Sequence, residues 1–169
     1  MHTKGELSKV PHMNTLRLPV LAAPMFIVSG PELVIAQCRA GIIGSFPAMN
    51  ARPMEVLDDW LTQICKEVSL PGGGRRPFAV NQIVHKSNNR LENDVELCVK
   101  YKVPIVITSL GSRRDVNEAI TGYGGIVLHD IINNRHANSA IRKGADGLIA
   151  VAAGAGGHAG PLSPFALVL

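Results

Sequence analysis

Six times in succession, a short run rich in Ile, Val and Leu is followed by a longer run with helical periodicity, and no other feature restricts the fold as much. The strand-like runs are residues 18–23, 41–46, 77–84, 104–108, 125–129 and 146–153. Pro104-Ile105-Val106-Ile107-Thr108 is almost wholly apolar, as a strand is when both of its faces are covered. Between the strands, Leu57, Trp60, Leu61, Ile64 and Val68 mark one helical stripe, and Leu91, Val95 and Cys98 mark another. Val116, Ala119 and Ile120 mark a third, and Ala137, Ala140 and Ile141 a fourth that stops at Gly144. Ser29-Gly30-Pro31-Glu32 has the spacing of a capping box with Pro in the first turn, opening a helix to Ala40. Pro53 is expected to start the next helix, and residues 69–76, with three consecutive glycines, to form a flexible surface loop.

A β-then-α repeat of this kind calls for a parallel sheet, either an open doubly wound sheet or a closed (β/α)₈ barrel. Six strands complete an open sheet, whereas a barrel needs two more units. Phe165-Ala166-Leu167-Val168-Leu169 breaks off inside an apolar helical start, which favours the barrel, cut short. The expectation is therefore an α/β fold, a partial TIM barrel with about six βα units, residues 1–169 forming one domain truncated at its C-terminus.

The net charge of +4 comes from 17 Lys and Arg against 13 Asp and Glu, scattered along the chain. Only Arg75-Arg76 and Arg113-Arg114 are basic doublets, and no aromatics interleave with them, so a nucleic-acid partner is not expected. Cys38, Cys65 and Cys98 fall on apolar helical stripes and read as reduced core residues of a cytoplasmic protein. Residues 1–17 lack the apolar core of a secretory signal, and the longest apolar stretch, 18–28, is too short to span a bilayer and holds two prolines. No membrane partner is expected.

In both architectures ligands bind beyond the carboxyl ends of the strands. Those ends carry Ala23-Pro24-Met25, Phe46-Pro47-Ala48, Asn81-Gln82, Ser109-Leu110-Gly111, His129-Asp130 and the loop Gly154-Ala155-Gly156-Gly157-His158-Ala159-Gly160. The set lacks the paired carboxylates of a glycosidase, a GxGxxG after the first strand, a Gly-x-Ser-x-Gly elbow and any His/Cys cluster with metal spacing. In the last loop, small residues let backbone amides approach a flat or anionic ligand, glycine supplies positive φ, and His158 can move a proton near neutral pH. A loop histidine of no consequence is the plain alternative, but the glycine setting after a buried strand favours catalysis. Asn81 is a ligand contact or a local backbone cap, Met25 a contact or core filler, and His129-Asp130 a site pair or a polar strand end. His2, His12, His85 and His136 carry no signal beyond surface placement.

Leu21-Ala22-Ala23-Pro24-Met25, Phe78-Ala79-Val80-Asn81, Asp146-Gly147-Leu148-Ile149 and Ala155-Gly156-Gly157-His158-Ala159-Gly160, followed by Leu162-Ser163-Pro164, resemble the nitronate monooxygenases, formerly 2-nitropropane dioxygenases. The resemblance runs from about Leu16 to the end and is most specific in the Gly-Gly-His-Ala-Gly stretch and its Leu-Ser-Pro sequel. It implies an FMN-dependent (β/α)₈ barrel in which Ala23, Pro24 and Met25 lie against the flavin, Asn81 contacts it, Gly156 and Gly157 border it, and His158 is the catalytic histidine. Asp130 stands where the best-studied branch has lysine and joins the cofactor contacts; Ala159 stands where that branch has proline. No metal is implied.

The implied activity is oxidation of an alkyl nitronate by O₂ with FMN, giving a carbonyl compound and nitrite. Related flavin enoyl-acyl carrier protein reductases share Gly-Gly-His-x-Gly, which makes NAD(P)H-dependent enoyl reduction the alternative. A third possibility is an inactive fragment, because loops after strands seven and eight hold the FMN phosphate in such barrels and would lie beyond Leu169.

Overall fold

The computed structural model describes residues 13–168. His2, His12 and most of the segment read for a secretory signal lie outside the described residues. The elements alternate as expected: α1 (Pro31–Ala40), β1 (Gly44–Pro47), α2 (Val56–Glu67), β2 (Phe78–Ile83), α3 (Leu91–Lys100), β3 (Ile105–Ser109), α4 (Arg114–Thr121), β4 (Ile126–Ile131), α5 (Asn134–Arg142), β5 (Gly147–Ala150) and α6 (Pro164–Val168). The strands pair in the order β1-β2-β3-β4-β5, all parallel.

The two faces of the sheet decide between the architectures. Phe46, Phe78, Val80, Val106 and Val127 share one core with Val34, Leu57, Leu61, Ile64, Val95, Cys98 and Ile120 from the helices. The alternate residues Ile43, Ala79, Ile105, Ile107, Ile126 and Leu128 form a second cluster with Leu16, Leu21 and Ile149, without a helix residue. A doubly wound sheet carries helices on both faces. Sequential strand order with helices on one face is the wall of a barrel, so the fold is the α/β partial TIM barrel read from the sequence.

Several local expectations need correction. Residues 18–23 do not form a full strand: Leu21 makes a single parallel bridge to Ile43, with Ala22 N–H donating to Ile43 O at 2.9 Å and Ile43 N–H to Val20 O at 2.9 Å. The capping box does not form either. Gly30 is the N-cap of α1 and receives no side-chain bond, because the buried Ser29 hydroxyl instead accepts from Met25 N–H at 3.0 Å. The helix expected at Pro53 begins at Val56. The three-glycine loop is closed by an antiparallel bridge from Ser69 to Arg75.

All three cysteines are free; Cys38 and Cys98 are buried, while Cys65 is half-buried and accepts from Arg75 Nη1. Burial pushes the Cys98 thiol up to about 12, so it stays protonated and is no nucleophile. No helix among the described residues is long and apolar enough to cross a membrane.

Candidate functional site

The carboxyl ends of the parallel strands form one rim, and the sequence-derived candidates sit on it. Ala23, Pro24 and Met25 follow the bridge at Leu21; Ala23 and Met25 are exposed and Pro24 is half-buried. Asn81 is near the end of β2, level with Pro47 of β1 and Ile107 of β3, and is 6% exposed. Its Nδ2 donates to Ile107 O at 3.2 Å and Ser109 Oγ at 2.7 Å. Its Oδ1 makes no hydrogen bond among the described residues. The carboxamide thus bonds the neighbouring strand β3 rather than its local backbone, and leaves an acceptor over.

His129 and Asp130 part company. Strand alternation puts Asp130 on the face of Ile126 and Leu128, inside the wall, where it is half-buried. His129 falls on the opposite face with Val127, under the helices, and its Nδ1 pairs with Thr108 Oγ1 at 2.7 Å. Burial holds the imidazole below the usual histidine range, against the opposing charge of Asp130. His129 is therefore a structural polar strand end, and only Asp130 belongs to the rim.

The glycine loop follows β5. Ala153 N–H donates to Leu162 O at 2.7 Å and closes its base, and Ala155 N–H donates to Ala152 O at 3.3 Å. Beyond that point the amides of Gly156, Gly157, His158, Ala159 and Gly160 donate to nothing among the described residues. A Cβ built at Gly156 or Gly157 would meet no atom within 4 Å, so the ground in front of them is open. The cradle does not use positive φ as expected: within the loop only Gly154, at +91°, is left-handed. His158 is exposed and makes no side-chain hydrogen bond among the described residues.

Sequence reasoning missed Asn50, whose carboxamide serves the first loop with both of its ends. Nδ2 donates to Met25 O and Ser29 O, each at 2.9 Å, and Oδ1 accepts from Ile27 N–H at 3.1 Å. Ser45, on the inner face of β1, donates to Ala22 O. Arg90, clamped on Asp94 by bonds of 2.7 and 3.1 Å, donates from Nη1 to Ala51 O at 2.8 Å. An isolated Asn closing a one-turn 3₁₀ helix, Ala48–Asn50, carries no periodic signal, and the Arg90–Asp94 spacing resembles an ordinary surface helix pair. Among the described residues no group of three His, Cys, Asp or Glu side chains could hold a metal ion.

No family model and no curated protein matches this chain. Solved structures do. FabK from Thermotoga maritima overlays 95% of the chain with a TM-score of 0.78 at 25% identity, using 49% of its own length. A nitroalkane oxidase from Streptomyces ansochromogenes overlays 82% with a TM-score of 0.70 at 20% identity, using 47% of its length. The enoyl reductase domain of MlnA from Bacillus amyloliquefaciens overlays 73% with a TM-score of 0.63 at 18% identity, using 30% of its chain. These overlays show a shared fold, which a nitroalkane oxidase and an enoyl reductase domain also have. The chain spans about half the length of the first two structures it matches.

Proposed function

We propose that this chain provides the flavin-facing wall of an FMN-dependent oxidoreductase that oxidises alkyl nitronates with O₂ to a carbonyl compound and nitrite. The observation that carries the reading is the rim itself. Four exposed amides at 156–159 and the Oδ1 of Asn81, all without a partner among the described residues, lie with the exposed Ala23–Met25 edge at the carboxyl ends of one parallel sheet. These groups fit a flat, polar-edged cofactor: amides for its acceptors, Asn81 Oδ1 for a ring N–H, and small or apolar residues for its face. FMN, when bound, supplies the electron acceptor for the nitronate and the donor for O₂.

Each residue then has a defined task. Ala23, Pro24 and Met25 exclude water from one side of the ring system. Asn81 and the Gly156 and Gly157 amides fix its orientation, and Asp130 lines the inner wall beside them. His158 holds a proton next to the substrate's nitro oxygens and stabilises their negative charge as the imidazolium. As the neutral base it takes the α-proton from an uncharged nitroalkane. The ligands are a small nitronate or nitroalkane and O₂, with no nucleic acid or membrane partner.

His158→Asn is expected to lower nitroalkane turnover by about 10²-fold or more, with flavin still bound. Unchanged turnover would remove His158 from catalysis. The enoyl-reductase alternative draws on the overlay with the enoyl reductase domain of MlnA. Anaerobic mixing separates the two: rapid bleaching of the flavin by NAD(P)H supports enoyl reduction, and bleaching only by a nitronate supports the monooxygenase.

A further inference from the structure

The loop that carries Met25 is held in an unfavourable shape. Ile27 has φ of +67°, a left-handed conformation that a β-branched side chain seldom adopts, and it is 79% exposed. No packing of its own side chain compensates. What opposes the strain is polar: Asn50 binds Met25 O, Ile27 N–H and Ser29 O together, and Ser29 Oγ accepts from Met25 N–H. Asn50 is in turn anchored, since Arg90 grips the carbonyl of the next residue, Ala51, and is itself locked on the fully buried Asp94.

We infer that Asn50 is a positioning residue, which clamps the Met25–Ser29 turn in its strained form and so fixes the edge that Met25 presents to the cofactor. The inference rests on the flavin reading for its last step only; the clamp itself requires no ligand. The chemistry of the carboxamide is specific. Met25 O already accepts from Ser29 N–H at 3.0 Å across the turn, and Asn50 adds what the backbone does not supply: a second donor to Met25 O, a donor to Ser29 O and an acceptor for Ile27 N–H, all from one planar group. Aspartate has the same shape but no donors, and would set a negative charge against two carbonyl oxygens.

The test uses the protein with Asn50→Ala, Asn50→Asp and the double variant Asn50→Ala/Ile27→Gly. Amide exchange is read without flavin, and FMN affinity by fluorescence quenching. Both single variants should exchange at least ten-fold faster at Met25, Ile27 and Ser29, with β2 and β3 unaffected, and bind FMN about ten-fold more weakly. Glycine adopts the left-handed conformation without strain, so the double variant should recover most of the affinity. Exchange unchanged at Ile27, or accelerated equally throughout the sheet, overturns the clamp. A loosened loop with unaltered FMN affinity overturns its role toward the cofactor. If the unsubstituted protein binds no FMN, the flavin reading fails, while the exchange data still decide the clamp.

Discussion

His129 shows what one buried side chain contributes to pH dependence. Its imidazole lies under the helices against Thr108, with the charges of Asp130, His136 and Lys143 around it, and burial depresses its affinity for protons. In the unfolded chain the same group titrates near 6.5. As the pH falls through that value the unfolded state gains a proton that the folded state refuses, so stability must drop below about pH 6.5 until the folded group also titrates. Denaturant midpoints measured from pH 7.5 to 5 should therefore fall more steeply for the natural protein than for His129→Gln. Parallel curves would show that the buried imidazole contributes nothing to the acid limb. The residue scale is also where the sequence was least legible. Position on a strand end told that His129 and Asp130 lie near the mouth, but the face each occupies depends on register, which a shift of one residue reverses. The rim position of Asn81 and of the glycine loop was readable from the strand ends; Asn50 acts only through a fold that brings it against a loop about 25 positions earlier in the chain.

Elements were legible wherever periodicity and length reinforced each other. Leu57, Leu61 and Ile64 lie fully buried in α2 with Trp60 half-buried beside them, and the apolar run at Ile105, Val106 and Ile107 became β3. The failures were at ends, where a side chain had two partners to choose from: Ser29 caps the loop before α1 rather than the helix itself. Close approach of elements makes a sharper demand than periodicity. At Gly44 in β1, an added Cβ would stand 2.5 Å from Val34 O and 3.0 Å from Val34 Cα, the backbone of α1. Neither element can retreat easily, since α1 buries Val34, Ile35 and Cys38 against the same wall. Gly44→Ala should cost about 1–3 kcal/mol, the usual range for overpacking. Urea denaturation measures this directly, and a loss below a few tenths of a kcal/mol would mean that α1 slides freely on β1.

At the scale of the whole molecule, the wall has two margins that are incompletely paired among the described residues. On one side the 18–23 segment meets β1 through a single bridge, with Leu18 and Val20 exposed. On the other, β5 pairs only with β4 among the described residues, Leu148 is 40% exposed, and Phe165 of α6 is 82% exposed. Unpaired strand backbone beside exposed apolar side chains is a template for association with another chain. A polypeptide of these 169 residues alone is expected to self-associate as its concentration rises through the micromolar range, and to bind FMN weakly. Leu148→Lys/Phe165→Lys should shift it toward monomer, because a lysine at an edge disfavours pairing while touching neither the Asn81 shelf nor the 154–160 loop. Sedimentation velocity at two concentrations distinguishes the outcomes. A natural-sequence polypeptide that stays monomeric at the higher one would show that these margins are shielded within the 169 residues themselves, and the weak flavin binding would then need another cause.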